Sequence, residues 1–469
     1  MSFIPPPHTP IRKQVRQLLE GRRVLADEVA LLRERVMAAD PLNPLAWIDW
    51  PRVERLAAAA QARAAGGAAA GGSGGRTGGG AAAPLLGVFV SVKDLFQLRG
   101  APIAAGTRAR LPPLAEQSAV AERLEAAGAI VFAKANMHEI ALGATGENGW
   151  TGDVCNPYDP ARQAGGSSSG SAVAVACGIG AASIGSDTGG SVRIPAAFCG
   201  VVGFKPTFGA IPLDGALPLS WTCDHAGPIT RCVDDAALLF DVLAGRGTGY
   251  GGGPADAVGG NRRPRLGVPR RWLEGRLAPA VRRHFEALLA ALAREADIVD
   301  ADVATLPLAW QHYTPIVRAE GAFVHRVALA AGDPGFSPSV LTPLQGGLAL
   351  PAQAYLEAFE ARARFNAELA AVLAGVDALV LPTTAIVPPL RGQQDAEVEG
   401  GSMSVREAVL GQTLPFSFVG MPTLSLPAGM IAVDGAAQPL PIGLQVVARR
   451  DGDAALLALG RWLEPQLAA

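Results

Sequence analysis

The sequence predicts an α/β protein built on one large sheet with helices on both faces. Strand-length apolar runs alternate with segments of helical period from about residue 84 to the end of the chain. The run Gly87-Val88-Phe89-Val90-Ser91-Val92-Lys93-Asp94 reads as a strand buried on both sides. Apolar residues make up 49% of the 469 and charged residues only 17%, enough for a large core. A chain this long ordinarily divides into about two or three domains. The unbroken alternation argues instead for a single domain over residues 1–469.

The elements follow in order. Residues 11–39 read as one or two helices, because Leu25, Val29, Leu32 and Val36 recur at helical spacing and Asp40-Pro41 stops the run. Residues 11–60 form an N-terminal helical segment packing on the domain. The Ala/Gly-rich stretch from about Ala57, and over 61–83 in particular, reads as a flexible loop. Strands are expected at Leu86–Val92, Ala129–Ala133, Ala182–Gly185, Arg265–Val268, Ile298–Val299, Ala378–Leu381, Thr423–Leu426 and Ile442–Val446. Helices are expected at Glu116–Ala127, Ser171–Gly178, Pro279–Glu295, His312–Ala331, Ala352–Leu373 and Asp453–Leu463.

Composition excludes several classes. A net charge of −2 with scattered arginines gives no footprint for nucleic acid. No stretch reads as a signal peptide or membrane span. The five cysteines (Cys155, Cys177, Cys199, Cys223, Cys232) are odd in number and lack C-x-x-C spacing. They read as free thiols in a reducing compartment, and a cytoplasmic location is the expectation.

Lysine usage is the sharpest local signal. The chain has four lysines, Lys13, Lys93, Lys134 and Lys205, against 36 arginines. Arginine cannot give up its proton at ordinary pH, whereas a buried lysine can. Lys93 ends the apolar run, so it is either a neutral base or a lysine paired with Asp94 or reaching water.

Two glycine–serine segments offer it a partner. The first is Gly165-Gly166-Ser167-Ser168-Ser169-Gly170-Ser171. The second is Gly185-Ser186-Asp187-Thr188-Gly189-Gly190-Ser191-Val192-Arg193-Ile194-Pro195. Free backbone N–H groups at such turns form anion nests, and a serine beside them has what acyl transfer needs. A phosphate loop lacks its lysine-bearing pattern here. Asp187-Thr188-Gly189 imitates an aspartic-protease triplet without a second copy. Gly166-Ser167-Ser168-Ser169-Gly170 matches G-x-S-x-G, but a turn-rich loop precedes it and the last histidine, His325, lies far from the C-terminus. Tight packing alone remains open as an account of the glycines.

With Lys93, Ser167 and Ser191 together, the chain resembles the amidase signature family. The flanking runs Lys134-Ala135-Asn136-Met137, Asn156-Pro157-Tyr158-Asp159-Pro160, Gly203-Phe204-Lys205-Pro206-Thr207, Asp224-His225-Ala226-Gly227-Pro228 and Gly420-Met421-Pro422-Thr423 agree, from about Ile11 to Leu463. The sequence departs from the family pattern in the Ala/Gly insert near 66–83 and at Ala164, where many relatives have proline. The resemblance implies one twisted mixed sheet and a Ser–Ser–Lys triad. Ser191 would be the nucleophile, Ser167 the bridge after a cis Gly166–Ser167 peptide, and neutral Lys93 the base. The amides around Thr188, Gly189, Gly190 and Ser191 would hold the oxyanion, and Ile140 would line the acyl pocket. Ser168, Asp187 and Arg193 would support the turn.

No metal or cofactor is implied, and the partner is a small-molecule amide or carbamate, acted on by a monomer or homodimer. Urethanase activity and ester side reactions fall within the family's reach. The other reading is the glutamine-hydrolysing subunit of a tRNA-dependent amidotransferase, and Pro389–Gly401 is a divergent stretch that could bear on it. Of the remaining notable residues, Lys134 and Lys205 read as strand-end ties and His225 as part of a structural turn. His138 and Glu139 read as surface or pocket rim, having no third metal ligand at useful spacing. Trp150 and Trp221 read as pocket wall or core.

Overall fold

The computed structural model describes residues 2–70, 83–245, 262–332 and 334–467. Its strands are β1 (Leu45–Ile48), β2 (Phe89–Lys93), β3 (Ile130–Ala135), β4 (Ala182–Asp187), β5 (Val202–Lys205), β6 (His225–Thr230), β7 (Arg265–Val268), β8 (Asp297–Asp300), β9 (Ala378–Pro382), β10 (Asp395–Val398), β11 (Gly401–Ser404), β12 (Thr423–Ile431) and β13 (Leu440–Val447). Eleven of them form one sheet in the order β1-β3-β2-β4-β6-β5-β12-β13-β9-β7-β8, and β10 and β11 form a separate hairpin.

The sheet is mixed. β2 lies parallel to both β3 and β4, β7 lies parallel to β8 and β9, and the pairs from β4 through β6, β5, β12 and β13 to β9 are antiparallel. Every residue of β2, β3, β4, β5, β6, β9 and β13 is buried. Successive side chains of a strand point to opposite faces, so both faces of the sheet are covered. The all-buried helix Ser169–Ala176 packs beside β2, β3 and β4, and Arg193–Phe198 packs on β5, β12 and β13. β2, β3 and β4 therefore end together, and ligands of open α/β sheets collect beyond the carboxyl ends of parallel strands.

The expected strands and main helices are present, with boundaries shifted by a few residues. Other expectations need correction. The loop expected from Ala57 is instead part of the helix Trp50–Ala70, which buries Ala57, Ala60 and Ala64 on one stripe. Alanine is the strongest helix former, and one packed stripe outweighs the neighbouring glycines. The rest of that predicted loop, 71–82, lies outside the described residues. The N-terminal segment is not wholly helical, since β1 pairs antiparallel with β3 at the sheet edge. The helix expected from His312 begins at Leu306, with Pro307 in its first turn, where a missing N–H costs nothing. Pro338–Leu348 is also helical despite Pro343 and two glycines, because Gly347 lets it approach the helix Leu306–Val324 closely. His225 opens β6 opposite Asp187 rather than sitting in a turn.

Candidate active site

Strand register builds the site. Val92 of β2 stands opposite Ile184 of the parallel β4, so Lys93 at the end of β2 comes beside Ser186 near the end of β4. Its side chain is fully buried. Lys93 Nζ donates to Ser167 Oγ at 2.6 Å and to Ser186 Oγ at 2.9 Å. Asp94 is not its partner. That carboxylate pairs with Lys134 at 2.8 Å and accepts from the amides of Ala104 and Ala105. Burial lowers the Lys93 pKa to about 7, against the opposing charges of Asp187 and Asp224.

Ser167 precedes the helix Ser169–Ala176, and the Gly166–Ser167 peptide is cis. Ser168 N–H donates to the backbone oxygen of Ser191 at 3.2 Å, which ties the two glycine–serine segments together. The Ser168 hydroxyl donates to Ser186 O and accepts from Ser186 N, at 3.1 and 3.2 Å. Ser191 lines a cavity of about 560 Å³, together with Thr188, Gly189, His138, Leu142 and Tyr313. Among the described residues, no internal hydrogen bond takes up the N–H of Gly189, Gly190 or Ser191, or the Ser191 hydroxyl.

The turn carrying Ser191 is closed by Asp187 and Arg193, both fully buried. Asp187 Oδ1 accepts from Arg193 Nη2 at 2.9 Å and Oδ2 accepts from Arg193 Nε at 3.0 Å and from Val192 N–H at 3.1 Å. Ser417 Oγ also donates to Asp187, at 2.8 Å. Burial works against the Asp187 carboxylate, yet Arg193 holds its pKa well below the usual range. Gly190 has φ +141°, and a Cβ there would overlap Thr413 and lie 2.6 Å from Ile194 Cδ1. A Cβ at Gly189 would meet Tyr313 Oη at 2.6 Å. Only glycine admits these neighbours.

The roles of several functional positions were not legible in the sequence, although Ser186 and Asp224 lie within runs already singled out. Asp224 accepts from Thr188 Oγ1 at 2.6 Å and braces the turn, and burial raises its pKa to about 6. Ser186, in the second glycine–serine segment, carried no sign of its contact with Lys93. Tyr313 sits mid-helix with no motif around it, and Gln445, which accepts from Arg193 Nη1 at 2.6 Å, lies on β13 far along the chain.

Other expected positions move. Ile140 is buried in the core and is absent from the cavity lining, which its neighbours Ala141 and Leu142 supply. His138 lines the cavity deep beside the candidate triad, its backbone N–H donating to Ser167 O at 3.1 Å, and Glu139 is buried and accepts from Thr107, Trp150 and Ser337. Trp221 is 46% exposed and neither core nor wall, and Trp150 is partly buried against Glu139 and Arg108. Lys134 ties β3 to Asp94 as expected. Lys205 is fully buried and donates to Pro206 O at 3.1 Å. Gln393, Gln394 and Ser404, around the β10–β11 hairpin, put the divergent stretch at the cavity mouth. Among the described residues, the ligand-type grouping His8, Cys232 and Asp235 lies apart from the cavity, at the N-terminal tail, where His8 pairs with Asp235 at 2.9 Å.

The amidase family model matches residues 45–457. The chain belongs to the amidase signature family. It is 33% identical to AtzE of Pseudomonas sp. (strain ADP), a subunit of 1-carboxybiuret hydrolase, over 81% of this chain and 84% of that protein. It is 35% identical to a glutamyl-tRNA(Gln) amidotransferase subunit of Anaeromyxobacter dehalogenans (strain 2CP-C), over 81% and 82%. A crystal structure of an amidase superposes with TM-score 0.89 at 45% identity, covering 98% of this chain and 100% of that one. The family match spans every element that shapes the cavity, including β2, β4 and the two glycine–serine segments. No described helix is long and apolar enough to cross a membrane.

Proposed function

We propose that this chain hydrolyses C–N bonds of small amides through an acyl-enzyme on Ser191. The observation that carries the reading is the fully buried Lys93 amine within 2.6 Å of Ser167 Oγ, directly behind the turn that presents Ser191 to the cavity. A lysine held near pKa 7 is neutral in half the molecules at neutral pH, which suits a general base. In this reading Ser191 Oγ attacks the carbonyl carbon and gives its proton to Ser167 Oγ, while Ser167 gives its own to Lys93 Nζ. The free amides of Gly189, Gly190 and Ser191 donate hydrogen bonds to the developing oxyanion, with Thr188 held by Asp224 behind them. The relay returns a proton to the departing nitrogen, the C–N bond breaks, and water releases the acid by the same route.

Carbamates and activated esters present the same carbonyl and extend the expected substrates. The five free thiols fit a cytoplasmic setting. A glutamine-hydrolysing component of a tRNA-dependent amidotransferase is the second reading, supported by the relatives that bear that name.

The test is turnover by the purified chain of an aryl amide, a primary amide, a p-nitrophenyl ester, an aryl carbamate and glutamine, with Ser191→Ala alongside. Serine-dependent cleavage of amides supports a free-standing amidase. Turnover of glutamine alone moves the assignment to the amidotransferase.

A further inference from the structure

Away from the reacting turn, three side chains of different ligand chemistry meet where the N-terminal tail crosses the start of the helix Val233–Leu243. His8 comes from the tail, Cys232 is the residue that opens the helix, and Asp235 lies in its first turn. One ligand atom from each lies within 4.8 Å of the other two. His8 Nε2 is 2.9 Å from Asp235 Oδ2 and 3.6 Å from Cys232 Sγ.

An ordinary ion pair leaves part of this unexplained. Asp235 is 1% exposed, and among the described residues its Oδ2 accepts no hydrogen bond, so the His8 N–H is not aligned with it despite the short separation. A buried carboxylate oxygen without a donor is costly. The other oxygen is committed. Oδ1 accepts from Ile11 N–H, the first amide of the helix Ile11–Leu19, at 2.8 Å. That bond holds the carboxylate in place and leaves Oδ2 as the oxygen beside His8.

The backbone around the three residues is also held. Cys232 O accepts from Thr230 Oγ1 at 2.8 Å and from Ala236 N–H at 3.3 Å. Arg231 donates to the carbonyls of Pro6 and Pro7, just before His8, and the fixed φ of proline narrows the freedom of the tail. His8 lines a cavity of about 290 Å³ with Thr9 and Arg231, which gives a small ion a way in.

The separations suit a tetrahedral ion. Zinc takes imidazole nitrogen and carboxylate oxygen at about 2.0 Å and thiolate sulfur at about 2.3 Å. Tetrahedral angles then place nitrogen about 3.3 Å from oxygen and about 3.5 Å from sulfur. The observed 2.9 and 3.6 Å lie within a few tenths of an ångström of these edges. A nitrogen, a sulfur and an oxygen together select zinc over calcium or magnesium, which take oxygen alone.

We propose that His8, Cys232 and Asp235 bind a zinc ion, with water as the fourth ligand, and that the ion clasps the N-terminal tail to the helix Val233–Leu243. On binding, the Cys232 thiol proton goes to solvent and His8 coordinates through a neutral ring. The thiolate and the carboxylate then balance the two positive charges of the ion. The site lies apart from the cavity at Ser191, and the proposal does not depend on the reaction there.

The test is a zinc titration of the full chain, stripped by a chelator and kept reduced by a phosphine. Calorimetry should find one zinc per chain, and Tm should rise with added zinc. Cobalt in place of zinc should show a thiolate-to-metal charge-transfer band. His8→Ala and Cys232→Ala should each weaken zinc binding roughly tenfold or more and abolish the zinc-dependent rise in Tm. Both variants keep the bond from Ile11 N–H to Asp235. Cys177→Ala, which removes the other half-buried thiol, should leave zinc binding unchanged. No zinc bound by wild type, binding that survives His8→Ala, or a cobalt complex without the thiolate band overturns the proposal.

Discussion

Two buried lysines on neighbouring strands have opposite surroundings. Lys134 on β3 meets a carboxylate, Asp94, at 2.8 Å, and its charge is matched inside the protein. Among the described residues Lys93 on β2 meets hydroxyls alone, those of Ser167 and Ser186. Burial lowers the pKa of both, and for Lys134 the adjacent Asp94 offsets it. Burial alone therefore does not mark a base. What marks it is burial without a counter-ion, beside a group that can hand over a proton. Lys205 sharpens the point. Among the described residues it too has no carboxylate contact, but its amine meets the Pro206 carbonyl, which has no proton to give. In the proposed mechanism Lys93 is a base and the other two hold strands.

Exchanging the amines tests this contrast. Lys93→Met should lower kcat/KM for an amide by about 10²–10⁴ and leave stability unchanged or raised, since a desolvated amine is replaced by a thioether. Near-normal hydrolysis by that variant would end the comparison. Lys134→Met should do the reverse. Leaving Asp94 buried and unpaired costs about 3–5 kcal/mol, read as a lower urea midpoint, while turnover by the folded fraction persists.

The pH profile separates the lysines next. With Lys93 at about pKa 7, kcat/KM should fall about tenfold per unit below that pH and level off above it. Stability carries a matching sign. The folded pKa lies below the ordinary 10.5, so between about 7 and 10.5 the unfolded chain holds a proton that the folded chain lacks. The Lys93 contribution therefore grows as pH rises through that window and is flat below it. Urea titrations of wild type and Lys93→Met should diverge only there.

Smaller effects follow from the turn and from His138. Gly190→Ala forces a side chain against Thr413 and Ile194 at φ +141°. The cost should be about 1–3 kcal/mol of stability, with a loss of kcat larger than any change in KM. His138→Asn should change kcat/KM by less than about threefold, because the proton relay does not pass through an imidazole. A collapse of activity would restore a serine–histidine mechanism.

The amino-acid sequence by itself determined the local pieces of this protein. Gly87–Asp94 read as a buried strand because it is mostly apolar, and the glycines around Ser167 and Ser191 marked turns where backbone can come close. Residue chemistry also set the alternatives for Lys93, since arginine could not serve as a base. Tertiary structure decided the rest. The choice between Asp94 and serine as the partner of Lys93 depends on β2 and β4 lying parallel in one register, which no local propensity specifies. Tyr313, Arg318 and Arg406 reach the cavity from segments far along the chain, Asp224 braces Thr188 from behind it, and Ile140 turns into the core instead of the pocket. Propensity and periodicity act over a few residues, whereas a site is defined by which distant strand ends and helix faces the folded core brings together.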